Sequence, residues 1–141
     1  MVAMNQKKLS AWKNIRNAGT VSLVAGWLSV VGVVILAAMG IFLIIINSPV
    51  SSNDGNDVPS SVFGIIILFF ALLALVIAVL HIVGGTKLRK PIANPKGWLI
   101  FLIVMGALGI GNIIGILTLI FGIIGLTSYS NIEGDKPPKN L

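Results

Sequence analysis

Few residues in this chain are equipped for chemistry, and their surroundings decide what they can do. His81 is the single histidine and cysteine is absent. No carboxylate stands near His81 in sequence, so a metal ion there would lack further ligands. The position suits an interfacial residue with its polar tip in water, or a group that senses pH or meets an anionic headgroup. Asp54 and Asp57 lie in Ser51-Ser52-Asn53-Asp54-Gly55-Asn56-Asp57. That stretch has turn composition, but it lacks the alternating ligands and closing Glu of a calcium loop. Ser29 has no base at its depth and so no route to an activated nucleophile. No glycine loop ends in Lys-Ser or Lys-Thr, which removes a nucleotide site. Proton relays and gating charges need ionisable residues within apolar segments, and the apolar runs here contain no Asp, Glu, Lys or Arg. The expectation is a protein without catalytic residues, metal or cofactor.

What the chain does supply is apolar length. Of its 141 residues 56% are hydrophobic and only 10% charged. A soluble protein of this size needs more charged surface than that, so the composition predicts a single membrane domain. The net charge of +6 would otherwise suggest nucleic acid. Here the basic residues flank apolar runs and leave no soluble basic face, so that partner is excluded. Without cysteine there are no disulfides, thiolate metal sites or lipoprotein anchor.

In chain order, residues 1–19 form a basic cytoplasmic leader with Lys7, Lys8, Lys13 and Arg16. Leu9, Trp12 and Ile15, three apart, permit a short amphipathic helix at the membrane surface with Trp12 at headgroup depth. The alternative is a basic tail that only sets orientation. Residues 20–46 make the first span, too long for a cleavable signal. Ser22 and Gly26, four apart, and Ser29 beside Ala25 give it a small-residue stripe for close helix approach. Residues 47–61 form the outer loop, 62–83 the second span, and 84–97 a cytoplasmic loop with Lys87, Arg89, Lys90 and Lys96. Both basic segments must lie on one side, which places the N-terminus in the cytoplasm of a cell with this protein in its plasma membrane. The same cations fit anionic lipid headgroups.

The region 97–127 sets the topology. As one helix it would run roughly 45 Å at 1.5 Å per residue, against a hydrocarbon core of about 30 Å. Gly109-Ile110-Gly111-Asn112 at its centre predicts a helical hairpin instead, with spans at 98–110 and 112–127. Gly106 and Gly109 on the first arm are matched by Gly122 and Gly125 on the second. Gly111 and Gly115 add a further close-packing step. Residues 128–141 read as a flexible polar tail. The predicted fold is an all-α integral membrane protein with four transmembrane helices, the last two a short, tightly packed hairpin, and both termini cytoplasmic.

This layout resembles an uncharacterised family of small four-span membrane proteins of Gram-positive bacteria. The likeness is carried by the basic leader before a glycine-containing span and by His81-Ile82-Val83-Gly84-Gly85. Lys96-Gly97-Trp98-Leu99-Ile100 and Ile113-Ile114-Gly115-Ile116-Leu117-Thr118-Leu119-Ile120-Phe121-Gly122-Ile123-Ile124-Gly125-Leu126 complete it. The resemblance implies four spans with both termini inside, and no activity. The function expected from the residues is that of a non-enzymatic accessory, assembly or immunity-like subunit. It would dock through Gly/Ala/Ser helix faces on a larger membrane protein or on itself. The alternative is a homo-oligomeric channel, for which Ser22, Ser29, Asn112 and Thr118 form a sparse lining.

Overall fold

The computed structural model describes residues 6–46, 49–50, 58–90, 92 and 94–134. The protein is all-α. Helix α1 runs Gln6–Ile46, α2 Ser60–Arg89, α3 Lys96–Leu108 and α4 Ile113–Tyr129. Pro49–Val50 and Val58–Pro59 form a short antiparallel pair between α1 and α2. The remainder of the expected outer loop, Asp54 and Asp57 included, lies outside the described residues. Helices α1 and α2 are each long and apolar enough to cross a membrane.

Where composition argues for one domain, the chain resolves into two compact units: Met1–Gly26 with Leu80–Leu141, and Trp27–Val79. The second unit is a helical hairpin of the later part of α1 and the earlier part of α2. Its helices touch at two glycines. A Cβ added at Gly64 would lie 2.5 Å from Gly40 O and 2.7 Å from Ile44 Cγ1, and one at Gly40 would lie 2.8 Å from Leu68 Cγ. Ser60, buried at the start of α2, donates its hydroxyl to Leu43 O at 2.8 Å. That carbonyl is among the last four of α1, which have no partner within their own helix.

The first unit packs four helical segments around Ala11, Trp12, Ile15, Ala18, Leu88, Leu99, Leu102, Tyr129 and Ile132. Two expectations are corrected here. From Gln6 onward the basic leader is not a separate surface helix or a frayed tail: it is the first part of α1, and Trp12, 5% exposed, is a core residue. Its stripe Ala11, Ile15, Ala18, Ser22, Ala25 advances by steps of three and four, the signature of one buried helix face. The start of the polar tail is also packed, since Ser128, Tyr129 and Ile132 are buried; residues 135–141 lie outside the described residues. Asn14 Nδ2 donates to Ser128 Oγ at 2.9 Å and ties α1 to the end of α4.

Helix α2 continues through Gly84 and Gly85 instead of stopping at the second span's expected end. Those glycines mark close approach, not a break. A Cβ at Gly84 would stand 2.8 Å from the Trp98 ring, and one at Gly85 would stand 2.6 Å from Leu23 N and 2.7 Å from Gly19 O. The helix ends at Arg89, two residues before Pro91, as proline's restriction on its predecessor requires.

These contacts give opposite expectations for two glycines. Gly85→Ala forces a methyl into backbone and should destabilise the protein by about 1–3 kcal/mol. Gly32 meets nothing within 4 Å, so Gly32→Ala should instead stabilise by roughly 0.5–1 kcal/mol through helix propensity. Thermal unfolding of the two variants in mild detergent, followed by circular dichroism, checks both signs.

Candidate functional site: helix-crossing faces and a basic rim

Region 97–127 is two helices joined at Gly109–Asn112, not one long helix. Asn112 is the N-cap of α4: its side-chain oxygen accepts from Gly115 N at 2.8 Å. The amides of Gly109, Ile110 and Asn112 bond to Met105 O, Ala107 O and Gly109 O. The turn thus satisfies much of its own backbone.

The hairpin interface follows one stripe on each helix. On α4 it is Gly115, Thr118, Gly122 and Gly125, all buried, in steps of three, four and three. On α3 it is Leu99, Leu102 and Gly106, also buried, with Gly109 continuing the stripe into the turn. The expected small residues of both arms, Gly106 and Gly109 with Gly122 and Gly125, all fall in this interface. The helices run antiparallel from a tight turn, so Gly109 meets Gly115 and Gly106 meets the backbone of Leu119. Farther from the turn, Gly122 receives Ile103 and Gly125 receives Leu99, whose Cδ2 would be 2.6 Å from an added Cβ. Gly111 takes no part. It is exposed in the turn and a Cβ there meets nothing within 4 Å, so the expected Gly111–Gly115 packing step does not exist.

On α1, Ser22 is fully buried and donates to His81 O at 2.8 Å. Gly26 is buried and Ser29 half-buried. The more intimate contact on that helix is Gly19, which the sequence reading passed over. Its added Cβ would lie 2.8 Å from Leu88 Cβ and 2.9 Å from both Arg89 N and Gly85 O. Gly40, Gly64 and Gly85 were likewise missed. For Gly19 the usable signal was its place along the stripe of α1, four residues after Ile15 and three before Ser22. His81 is not an interfacial residue with a free polar tip. It is 7% exposed, with its ring edge-on to Phe101 at 5.3 Å between centroids. Phe101 in turn meets Trp98 at 6.0 Å.

The basic residues form a rim on the first unit. Lys7, Lys8, Lys13 and Arg16 lie on the opening turns of α1, Lys87 and Arg89 in the last turn of α2, Lys90 just after it, and Lys96 at the start of α3. No Lys or Arg occurs in Trp27–Val79. Among the described residues no cluster of three His, Cys, Asp or Glu could hold a metal ion. No family model, curated protein or solved structure matches the chain.

Two substitutions measure how these features hold the first unit together. Trp12→Ala should cost about 3–5 kcal/mol, the range for emptying an aromatic core position. Asn112→Ala should cost about 1 kcal/mol through loss of the cap. Denaturant titration in detergent reads both, and a near-neutral Trp12→Ala would contradict a core position for the leader.

Proposed function

We propose that the protein is a multi-pass integral protein of the plasma membrane, with both termini cytoplasmic, and that it serves as a non-enzymatic accessory subunit of a larger membrane protein. The observation that carries the membrane reading is the surface of α1 and α2. Trp27, Phe42, Phe69 and Phe70 are each about 60% exposed, among many exposed Val, Leu and Ile. Water does not tolerate apolar area on that scale, and lipid does. Orientation follows from charge. Every Lys and Arg falls within Met1–Gly26 or Leu80–Leu141, so the basic rim marks the cytoplasmic side. On this reading the α3–α4 hairpin enters from that side and returns to it.

The accessory role is supported by the lack of Asp, Glu, Lys and Arg in the apolar segments and by a small residue left open on the first span. Ser22, Gly106, Gly115, Gly122 and Gly125 contact the chain's own helices, so they are not the docking face. Gly32 is different: space beside it is open, and a partner helix can approach the α1 backbone there.

Topology is directly testable because the chain has no cysteine and needs no background replaced. Asn53→Cys should react with an impermeant maleimide in intact cells. Ser10→Cys and Asn94→Cys should react only after permeabilisation, and labelling of Ser10→Cys in intact cells would refute the orientation. For the accessory role, a larger membrane protein should co-purify with the tagged chain at fixed stoichiometry, and Gly32→Leu should release it with helicity unchanged. Recovery of the chain alone, or retention by Gly32→Leu, would reject that docking face.

A further inference from the structure

Arg16 and Leu23 are seven residues apart on α1, two turns along one face, with Gly19 between them. Opposite them, Thr86 and Arg89 lie on the last turns of α2 and Lys90 follows directly. These five residues line an open cleft of about 310 Å³, the lower end of the range for small-ligand sites. The cleft has its shape because position 19 is glycine. The Arg89 backbone comes so near that an added Cβ at Gly19 would be 2.9 Å from Arg89 N, and Leu88 seats against the same spot.

Three cations, from α1, from α2 and from the residue after α2, thus line one cavity. Glu133 is the only acidic side chain among the described residues, and it is not in the lining. Like charges gathered this way repel one another, and an anion between them reverses the sign of the interaction. The donors must be side chains. The Lys90 amide already bonds to Lys87 O, and the Thr86 hydroxyl donates to Val83 O. Two guanidinium forks and an ammonium are the donor set that fits the oxygens of a phosphate group. Leu23 supplies an apolar wall, and its neighbour Val24 is 53% exposed on the helix surface. A phosphate carried on a hydrophobic molecule therefore finds both of its parts accommodated.

We propose that Arg16, Arg89 and Lys90 form a phosphate-binding cleft that holds one phosphate group per chain, from an anionic phospholipid headgroup or from free phosphate. The lipid source rests on the membrane reading above; the phosphate chemistry does not.

The test uses the full chain in mild nonionic detergent. Phosphatidic acid, phosphatidylcholine and inorganic phosphate are titrated separately, with stoichiometry read by native mass spectrometry and affinity by calorimetry. Phosphatidic acid should saturate at one per chain, with phosphatidylcholine much weaker. Arg16→Gln, Arg89→Gln and Lys90→Gln should each weaken binding roughly tenfold or more, the scale of one charge-assisted hydrogen bond. Arg16→Lys keeps the charge but loses the fork, and should fall between wild type and Arg16→Gln. The control removes three charges outside the lining, Lys7→Gln with Lys13→Gln and Lys96→Gln, and should bind as wild type does. Saturable binding of inorganic phosphate with the same variant pattern, and none of lipid, would keep the cleft and identify free phosphate as its ligand. Equal losses in the control triple variant would overturn the proposal, because binding would then follow net charge. Absence of saturable binding to either probe would overturn it as well. Neither result would alter the cysteine-labelling pattern, so failure of the cleft is separable from failure of the membrane reading.

Discussion

Contact between bare backbones organises this protein. At Gly19 and Gly85 the helices α1 and α2 approach until no side-chain atom fits between them. On the proposed membrane placement there is no water to expel from between the helices, so their association would depend on dispersion contacts and on the few polar bonds that closeness permits. Each atom pair contributes only about 0.1–0.2 kcal/mol, and the total grows steeply as the axes converge. At that separation Ser22 can reach His81 O, Leu88 can seat over Gly19, and the Arg89 backbone is drawn to the side of α1. Remove the close approach and the serine bond, the leucine seat and the basic cleft are lost together.

The two units divide the work unevenly. The first holds all the cations, the aromatic cluster of His81, Trp98 and Phe101, and the buried core around Trp12 and Leu99. The second is a helix pair held by Gly40 against Gly64 and by Ser60 on Leu43 O, with most of its large side chains turned outward. A pair this bare has little of its own to keep it folded in water. Its internal contacts centre on Gly40, Gly64 and Ser60, with Ile44 and Leu68 seated on the glycines.

The α3–α4 hairpin was legible because length and composition agreed: a run too long for one span had turn residues at its middle. Asn112 falls at that turn as a cap, which is what Asn-rich turn chemistry does. The register within the hairpin was not legible. Counting glycines on each arm does not say which meets which, since that depends on where the turn closes. The basic leader misled because charge patterning describes the outward face of a helix. Lys8, Lys13 and Arg16 alternate with Ala11, Trp12, Ile15 and Ala18, and the inward set continues the buried stripe of α1 without a break. Gly84-Gly85 lie inside α2, past the end expected for the second span. Adjacent glycines break a helix in water, but here they are filled by Trp98 and by the α1 backbone. Gly19, Gly40, Gly64 and Gly85 are distant in sequence, and only the fold pairs them.

On the proposed membrane placement, the brevity of the hairpin bears on the lipids around it. With 13 residues in α3 that arm rises about 20 Å, some 10 Å less than an ordinary hydrocarbon core. Its tip presents Leu108, Ile110 and Ile113, all well exposed and all apolar, so it seeks acyl chains and not headgroups. Lipids over the tip would have to bend inward to cover it, and the opposite leaflet would dip toward the turn. Such a dimple stores elastic energy in the membrane, on the scale of fractions of a kcal/mol per Å of mismatch. Thin or short-chain regions relieve that energy and thick ones raise it. On that placement the length of one helix would give the protein a preference for where in a heterogeneous membrane it resides.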